Sequence, residues 1–422
     1  MTEDFLTGVD IGSTAVRVVV AQRVTGIGER ETLQVIGAAE VASEGISKGI
    51  ITSIDDAVSS ASAAIERAER MIGAEIRSAW IGISGSHILS QSSRGVIGVS
   101  RPDGEIREED VARAIEAAQT VATPPNYEIL HVLPKSFIVD GQAGVKDPVG
   151  MNGIRLEVEA EIIQGLSSQI KNLSKCVYRT GIEIEDLVFG VLATAEAVTT
   201  TRMRELGVAV VVIGGSTTSM ILFEGGDVLH TAVLAIGSEH ITSDIAIGLR
   251  ISIEAAEQIK IRYGTASPKE ITRREEITLR EVGVPEDEVV SRKYVAEIIE
   301  ARVEEIFEKV DHELKKVGRS GLLPGGVILT GGGAKLPGIV ETAKKKLRLP
   351  AALGLPLNLT SITDRVNDLA FTTAAGLVHW GAAATRNTQK KNKGSGKQFL
   401  SKLSSVGTAA KTAKGWFQNL LP

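Results

Sequence analysis

The stretch that decides the fold is Val9-Asp10-Ile11-Gly12-Ser13-Thr14, which returns in altered form as Val211-Val212-Ile213-Gly214-Gly215-Ser216-Thr217. In each copy an apolar run meets glycine and hydroxyl residues, and a second apolar run follows. This pattern predicts a β-hairpin in each copy. Because the copies lie roughly 200 residues apart, they indicate a duplicated α/β fold with one hairpin in each half.

Both hairpin turns have the composition of a loop that binds phosphate. Glycine lets the backbone approach an anion closely, and backbone N–H groups and hydroxyls donate hydrogen bonds to it. An aspartate before the first turn, Asp10, can hold a magnesium ion through a water molecule. Taken singly, each of these turns is more often an ordinary hairpin turn.

A third glycine-rich segment, Thr330-Gly331-Gly332-Gly333-Ala334-Lys335-Leu336-Pro337-Gly338, follows a short apolar strand. Three glycines between a buried strand and a helix allow a flat ligand to lie against the backbone near the helix N-terminus. Alone, this segment is also explained by a tight strand-to-helix turn. In this order, and with one hairpin repeated, the three segments are hard to explain as unrelated turns.

The region from Gly85 to about Glu161 differs from its surroundings, because turns separate short strands and one helix is expected near 108–120. We therefore expect a small domain inserted into the first half. The charged segment from Pro268 to Glu288 is expected to be exposed. The predicted boundaries are 1–84 for the first part of the first half, 85–161 for the insert, 162–206 for the return to the first half, 207–384 for the second half, 385–398 for a basic flexible linker and 399–422 for an amphipathic helix.

Charge divides the chain into an acidic body and a basic tail. From Thr385 to Pro422 there is no Asp or Glu, and there are eight Lys or Arg residues. The whole chain has 47 Lys+Arg and 52 Asp+Glu, so the body carries 39 basic against 52 acidic residues. A body this acidic repels phosphate backbones and is a poor binder of nucleic acid. The tail is a separate module that suits an anionic surface.

The tail beyond Gln398 repeats apolar residues at spacings of four and three, which places them on one face of a helix. A basic helix that ends in aromatic residues and leucines is typical of a segment lying on a membrane, and a coiled-coil or docking helix is the alternative. No run of roughly 18 apolar residues and no secretory signal is found, so a peripheral position is expected. The expected membrane-binding residues are Phe399, Leu403, Val406, Lys411, Lys414, Trp416, Phe417, Leu420 and Leu421.

Further motifs carry a resemblance to a known family. They are Glu44-Gly45-Ile46-Ser47-Lys48-Gly49, Ile83-Ser84-Gly85-Ser86-His87, Pro148-Val149-Gly150-Met151, His240-Ile241-Thr242-Ser243-Asp244 and Ala256-Glu257-Gln258-Ile259-Lys260. With the hairpins and the glycine triplet, they make the chain similar to the FtsA family of bacterial cell-division proteins, within the actin superfamily. The motifs cover nearly the whole body, and the family also ends in a linker and an amphipathic membrane helix.

The resemblance implies an actin-like fold, in which duplicated ribonuclease-H-like domains surround a nucleotide cleft. It names the insert subdomain 1C and places a second small subdomain, 2B, at about 223–299. It implies ATP with magnesium as cofactor, no nucleic acid, and as partners the C-terminal tail of FtsZ, further copies of the chain in a filament, anionic membrane lipids and other division proteins. The implied role is to tether FtsZ filaments to the cytoplasmic face of the cell membrane at the division site.

The resemblance assigns nucleotide binding to the three glycine-bearing loops and to the helix that contains Glu257 and Lys260, which would meet the ribose and adenine. The full set is Asp10, Gly12, Ser13, Thr14, Gly214, Gly215, Ser216, Thr217, Glu257, Lys260, Gly331, Gly332, Gly333 and Ala334.

Four positions depart from the family's pattern around the phosphate site, and one of them is Ser238, where glycine is frequent. Ala15 stands where the family usually has a lysine that meets phosphate, and Val212 and Ser219 stand where aspartate is common. Losing the lysine removes a charge-assisted contact, and losing the carboxylate removes a group that positions the attacking water. We therefore expect weak nucleotide binding, slow or absent ATP hydrolysis and no enzymatic role, unless Arg17 replaces the missing lysine.

Two other classes of the superfamily are the alternatives. Scaffolds of type IV pilus assembly that resemble PilM share the fold, but they typically lack a long basic linker and a terminal membrane helix. Sugar or acid kinases need a carboxylate base and a metal-holding carboxylate in the cleft, and Val212 stands where the second hairpin would supply one.

Overall fold

The computed structural model describes residues 5–25, 31–272, 274–284, 288–361 and 364–394. The first half consists of β1 (Leu6–Ile11), β2 (Ala15–Thr25), β3 (Glu31–Ala42), β4 (Ile46–Ser47), β5 (Ile50–Ile51), α1 (Ile54–Ile72) and β6 (Ser78–Ile83). The insert consists of β7 (Ile88–Gly98), α2 (Glu108–Ala122), β8 (Tyr127–Val139), β9 (Gln142–Val145) and β10 (Arg155–Leu166). The chain returns to the first half with α3 (Ser167–Arg179), β11 (Glu183–Phe189), α4 (Gly190–Val198) and α5 (Thr201–Leu206).

The second half begins with β12 (Val208–Ile213), β13 (Thr218–Glu224), β14 (Asp227–Leu234), α6 (Ser238–Leu249) and α7 (Ile253–Tyr263). It continues with β15 (Glu276–Thr278), β16 (Val289–Ser291), α8 (Arg292–Lys316), β17 (Val327–Thr330), α9 (Ile339–Leu347) and β18 (Ala351–Leu353). The last elements are β19 (Leu359–Ser361), which joins the sheet of the first half beside β3, and α10 (Thr372–Gly394).

The two halves share one sheet topology. The strand order is β3-β2-β1-β6-β11 in the first half and β14-β13-β12-β17-β18 in the second. In both, the first strand of the hairpin runs antiparallel to its hairpin partner and parallel to the strand on its other side. These strands are rich in valine and isoleucine, which suits a sheet buried on both faces. The duplication predicted from the repeated hairpin is confirmed.

The two hairpin turns close in the same way. In the first, the amide of Gly12 donates a hydrogen bond to the carbonyl oxygen of Ala15 at 3.2 Å. In the second, the amide of Gly214 donates to the carbonyl oxygen of Thr217 at 2.9 Å. The tips of the hairpins are therefore presented in equivalent positions on the two halves.

The insert is a small α/β unit in which α2 covers a sheet of order β7-β10-β8-β9. Gly95 permits the close contact between helix and sheet, because a Cβ there would lie 2.1 Å from the carbonyl oxygen of Ala114. Strand β10 pairs with β7 and β8 along its length and ends only at Leu166. The last strand of the insert thus extends past the boundary predicted at Glu161.

Helices α4 and α10 pack against each other between the two halves. Small residues allow this contact, since a Cβ on Gly376 would lie 2.1 Å from the carbonyl oxygen of Ala193. Strand β1 is held as closely, because a Cβ on Gly8 would lie 2.3 Å from the carbonyl oxygen of Ala374. Helix α4 also contacts β12 and β13, so the two helices connect the first hairpin to the second.

The segment from Pro268 to Glu288, expected to be exposed, is partly in the core of the second half. Ile277, Leu279 and Val282 are buried there, beside α7 and α8. Strand β15 pairs with β16, and this pairing turns Ile277 inward. The expectation was wrong because apolar residues are interspersed among the charged ones, and the charges alone were counted.

Helix α10 continues into the region predicted to be a flexible linker. The linker was predicted to begin at Thr385, but the helix runs to Gly394. Between these residues there is no proline and no glycine, and arginine, glutamine and lysine favour helix, so nothing ends the helix earlier. Residues 395–422, with the predicted membrane helix, lie outside the described residues. Among the helices that the structure describes, none is both long and apolar enough to cross a membrane.

Candidate nucleotide-binding site

A cleft lies between the two hairpins and the glycine triplet. It holds about 650 Å³ of space, part of which is open solvent, and clefts of this order are typical of small-molecule sites. The predicted nucleotide residues that line it are Asp10, Gly12, Ser13, Thr14, Gly214, Gly215, Ser216, Thr217, Gly331 and Gly332. The fold therefore brings the three loops together, and their binding of nucleotide stays a prediction.

A carboxylate that the sequence analysis missed holds the tips of the two hairpins together. Glu239, in the first turn of α6, accepts a hydrogen bond from the Thr14 hydroxyl at 3.1 Å and another from the Ser216 hydroxyl at 2.5 Å. Its amide donates to the carbonyl oxygen of Gly215 at 2.9 Å. A Cβ on Gly215 would lie 2.1 Å from the Thr14 hydroxyl oxygen and 2.6 Å from a Glu239 carboxylate oxygen, so a side chain at this position would displace both groups.

No local pattern distinguishes Glu239 in the sequence. It is one acidic residue at the start of a helix, where acidic residues are common because they stabilise the helix dipole. Its role depends on Thr14, which is 225 positions away in the chain. Only the packing of the two halves reveals that the carboxylate lies between the two hairpin turns.

Asp10 and Arg17 form a cross-strand pair on the first hairpin, and both line the cleft. Burial raises the pKa of Asp10, while the positive charge of Arg17 acts in the opposite direction. The Nε of Arg17 donates to a carboxylate oxygen of Glu40 at 2.6 Å, and its guanidinium carbon lies 5.9 Å from the centre of the Phe371 ring. Arg17 is therefore held beside Asp10 on the strand, whereas Ala15 lies at the turn.

Val212 and Ser219 are the equivalent cross-strand pair on the second hairpin, and they also line the cleft. Neither side chain can coordinate a metal ion as a carboxylate does, and neither can act as a general base at neutral pH. The second half thus contributes glycines and hydroxyls to the cleft, and no carboxylate at this pair.

The glycine triplet follows β17 and passes beside the second hairpin. Gly331, at φ 88°, lies against the backbone of Ile213, where a Cβ would meet the carbonyl oxygen at 2.6 Å. Gly331 and Gly332 reach the cleft. Gly333 and Ala334 are buried beneath them, with Gly333 against the Ile213 side chain. The last two residues therefore support the loop and do not face the cleft.

Glu257 and Lys260 lie on α7, apart from the residues that line the phosphate end of the cleft. Their side chains form an ion pair at 2.6 Å, and both bond the hydroxyl of Thr242 on α6. The Lys260 ammonium also donates to the carbonyl oxygen of Ser238, whose amide bonds the carbonyl oxygen of Gly214. A continuous polar path thus joins the predicted nucleoside residues to the second phosphate turn.

The donors of the cleft fit an anionic ligand. The hydroxyls of Thr14 and Ser216 already bind the two oxygens of a carboxylate, which stand in for the oxygens of a phosphate. Glycines at the turns leave room for a backbone approach that any side chain would block. The residues present therefore fit a nucleotide. The predicted membrane-binding residues, from Phe399 to Leu421, lie outside the described part of the chain.

Comparisons with known families match two parts of the chain. Residues 209–376 match the family described as cell division protein FtsA, and residues 85–164 match the SHS2 domain inserted in FtsA. The cell division protein FtsA of Pseudomonas aeruginosa is 38% identical over 376 residues, which is 89% of each chain. The cell division protein FtsA of Borreliella burgdorferi is 37% identical over 418 residues, which is 99% of each chain.

Solved structures show the same fold at low sequence identity. A PilM–PilN type IV pilus biogenesis complex is 16% identical, with a TM-score of 0.64, and the match covers 88% of this chain and 97% of that one. MreB5 of Spiroplasma citri bound to ADP is 12% identical, with a TM-score of 0.53, and the match covers 93% and 99%. At these identities the likeness shows the fold alone, and the fold is actin-like, as the sequence predicted.

Proposed function

The chain belongs to the FtsA family of cell division proteins, and from this premise we propose that it forms filaments that tether FtsZ to the inner face of the cytoplasmic membrane. Membership in the family is the observation that carries the proposal. Such a tether needs one site for FtsZ and one for the membrane, and we assign these to the exposed apolar residues of the second half and to the basic tail. The partners proposed are FtsZ, other copies of the chain, anionic lipids and other division proteins.

ATP with magnesium is the cofactor proposed for the cleft. The amides and hydroxyls of the two turns would hold the phosphates, Glu257 and Lys260 would meet the nucleoside, and Asp10 would approach the metal through water. When bound, the magnesium ion neutralises phosphate charge. Hydrolysis is expected to be slow or absent, because Val212 and Ser219 supply no carboxylate to position an attacking water.

The C-terminal tail of FtsZ is proposed to dock on subdomain 2B. Exposed apolar residues lie there on two helices that contact each other, since Ile247 on α6 is 76% exposed and Ile261 on α7 is 66% exposed. The end of α6 adjoins the start of α8, because a Cβ on Gly248 would lie 3.8 Å from the hydroxyl of the exposed Tyr294. Exposed apolar groups close together on a surface are a common feature of protein-binding sites.

The membrane contact is proposed for residues 399–422. Burying an aromatic or leucine side chain contributes about 1.5–3 kcal/mol, and each lysine near anionic lipid adds about 1 kcal/mol. Ordering a helix costs about 1–2 kcal/mol per residue, so one tail binds reversibly. Many tails on one filament bind firmly, because each bound tail raises the effective concentration of the next.

Vesicle flotation tests the proposal. The full chain is compared with a chain that ends at Lys397, on anionic liposomes, with and without a peptide of the FtsZ C-terminal tail. We expect only the full chain to float and to carry the peptide with it. If the shorter chain floats as well, or if the full chain does not bind the peptide, the proposed tether function is wrong. A scaffold of the pilus type then becomes the better interpretation.

Two pairs of variants locate the contacts. Phe417→Asp should abolish flotation, whereas Gln418→Asp adds the same charge on a neighbouring face of the predicted helix and should not. Ile247→Glu combined with Ile261→Glu should abolish peptide binding. Ile154→Glu, at a position in the insert that is 77% exposed, is the matched control and should leave peptide binding unchanged.

A further inference from the structure

A small cavity lies behind the phosphate-binding turn of the first half. It has room for about one water molecule. Ile11, Gly49 and Ser84 line both this cavity and the nucleotide cleft. The wall between the two spaces is therefore a single layer of residues.

The cavity contains polar atoms that lack a protein partner in the described part of the chain. His87 is only 7% exposed, and neither of its ring nitrogens is hydrogen-bonded; the side-chain oxygen of Gln169 is also buried and unpaired. Burial lowers the pKa of His87 to about 4, so its ring is neutral at cellular pH, with one donor and one acceptor nitrogen. Ordered water usually satisfies such groups when a cavity can hold it.

The cavity lies where the insert is attached to the first half. His87 immediately precedes β7, by which the chain enters the insert. Gln169 lies in the first turn of α3, just after β10, by which the chain leaves it. The segment that enters the insert and the segment that leaves it therefore lie on either side of this cavity.

Contacts lead from the cleft to the cavity. The hydroxyl oxygen of Ser13 accepts a hydrogen bond from the amide of Gly49 at 3.0 Å, which leaves the proton of the hydroxyl available for a phosphate oxygen. Gly49, at φ 72°, lies against Ser84, where a Cβ would be 2.1 Å from the carbonyl oxygen. The carbonyl oxygen of Lys48 accepts from the amide of Ser86 at 3.2 Å. A shift of the turn would thus be transmitted to the segment that precedes the insert.

We propose that this cavity binds an ordered water between His87 and Gln169, and that His87 is a positioning residue that couples Ser13 to the orientation of the insert. The inference rests on the proposed binding of ATP in the cleft. Phosphate contact fixes Ser13 and, through Gly49 and Ser84, the wall of the cavity. The hydrogen bonds from His87 through the water to Gln169 then fix the segment that enters the insert relative to the segment that leaves it.

The test uses the full chain and four variants. His87→Leu and Gln169→Leu remove the polar atoms, and His87→Gln keeps a donor and an acceptor. His131→Gln is the matched control, because His131 is equally buried but bonds the amide of Phe189 and lines neither cavity. Affinity is measured by titration with a fluorescent ATP analogue and magnesium, and hydrogen exchange is followed in residues 85–164 with and without ATP. Thermal unfolding identifies any variant that fails to fold.

In the wild type, ATP should slow exchange where the insert joins the body. His87→Leu and Gln169→Leu should each weaken ATP binding by about tenfold and abolish this slowing, while His87→Gln and His131→Gln retain it. If both leucine variants fold, bind ATP within twofold of wild type and keep the slowing, the inference is wrong. If the wild type itself binds no ATP, the proposed nucleotide site is wrong, and the coupling that rests on it is wrong as well.

Discussion

Replacing Glu239 by glutamine should strengthen ATP binding. This carboxylate accepts hydrogen bonds from Thr14 and Ser216, one on each hairpin turn. A phosphate chain that enters between the turns needs the same hydroxyls and brings negative charge close to the carboxylate. Glu239 therefore competes with the ligand, and glutamine keeps the shape while removing the charge.

Two contributions to the free energy have the same sign. Like unit charges about 4 Å apart repel by about 4 kcal/mol at an effective dielectric constant of about 20, and solvent and salt in the open cleft reduce this to about 1–2 kcal/mol. Glutamine also provides one acceptor fewer and no negative charge. The contact with the Thr14 and Ser216 hydroxyls, which competes with the ligand, is thereby weakened by about 1 kcal/mol. Together these contributions predict ATP binding that is at least about tenfold tighter.

Titration of wild type and Glu239→Gln with a fluorescent ATP analogue and magnesium measures the effect, and raising the salt concentration should narrow the difference. Glu254→Gln removes the same charge from the exposed first turn of α7 and is the control; it should bind as wild type does. Unchanged or weaker binding by Glu239→Gln, in a protein that unfolds at a normal temperature, would refute the reasoning. It would mean that the carboxylate supports the ligand rather than competing with it.

Three further predictions concern stability and are measured by thermal or denaturant unfolding. Burial raises the pKa of Asp186 to about 6 from an ordinary value of 3.8, so the folded state binds the proton more tightly, and stability should fall as the pH rises through this range. Asp186→Asn should remove this pH dependence and raise the free energy of unfolding at pH 8 by about 3 kcal/mol, and a retained pH dependence would contradict the assignment to Asp186. Gly49→Ala should cost about 2–4 kcal/mol because the new Cβ meets the Ser84 carbonyl oxygen, while Gly141→Ala, at φ 89° with no atom within 4 Å of its Cβ, should cost about 1 kcal/mol; equal losses would show that backbone strain alone matters. Gly376→Ala should separate α10 from α4 and cost about 2–4 kcal/mol, and a neutral result would mean that the helices adjust freely.

Local sequence patterns were enough to predict much of the fold. The hairpins were predictable because β-branched runs flank glycine turns, and a helix was expected near 108–120, where the structure has α2. The equivalence of the halves followed from a repeat that is visible in the sequence. The three loops could be placed in one cleft only through the resemblance, because nothing local states which turns meet.

Contacts across the fold were not predictable. Thr14, Ser216 and Glu239 come from three elements, and no spacing in the sequence joins them. The same holds for His87, which lies in a motif that was quoted but given no role, and whose neighbour Gln169 is in another helix. At the C-terminus the error was local: the basic composition from Thr385 onward was taken as a linker, although its residues favour helix.

We expect the cleft to bind a nucleotide and to hydrolyse it slowly or not at all. Two carboxylates lie at this part of the cleft: Glu239 is bound by the Thr14 and Ser216 hydroxyls, and Asp10 lies beside Arg17 on the first hairpin. Burial raises the pKa of Asp10, while the charge of Arg17 acts in the opposite direction. Phosphoryl transfer also needs a group that orients water, and the pair of Val212 and Ser219 provides none. In the proposed function ATP therefore acts by binding in the cleft, and its hydrolysis is not required. If one tail binds a membrane reversibly and a filament binds it firmly, as proposed, attachment should follow filament length and protein concentration. A variant unable to hydrolyse ATP should then still leave the membrane on dilution.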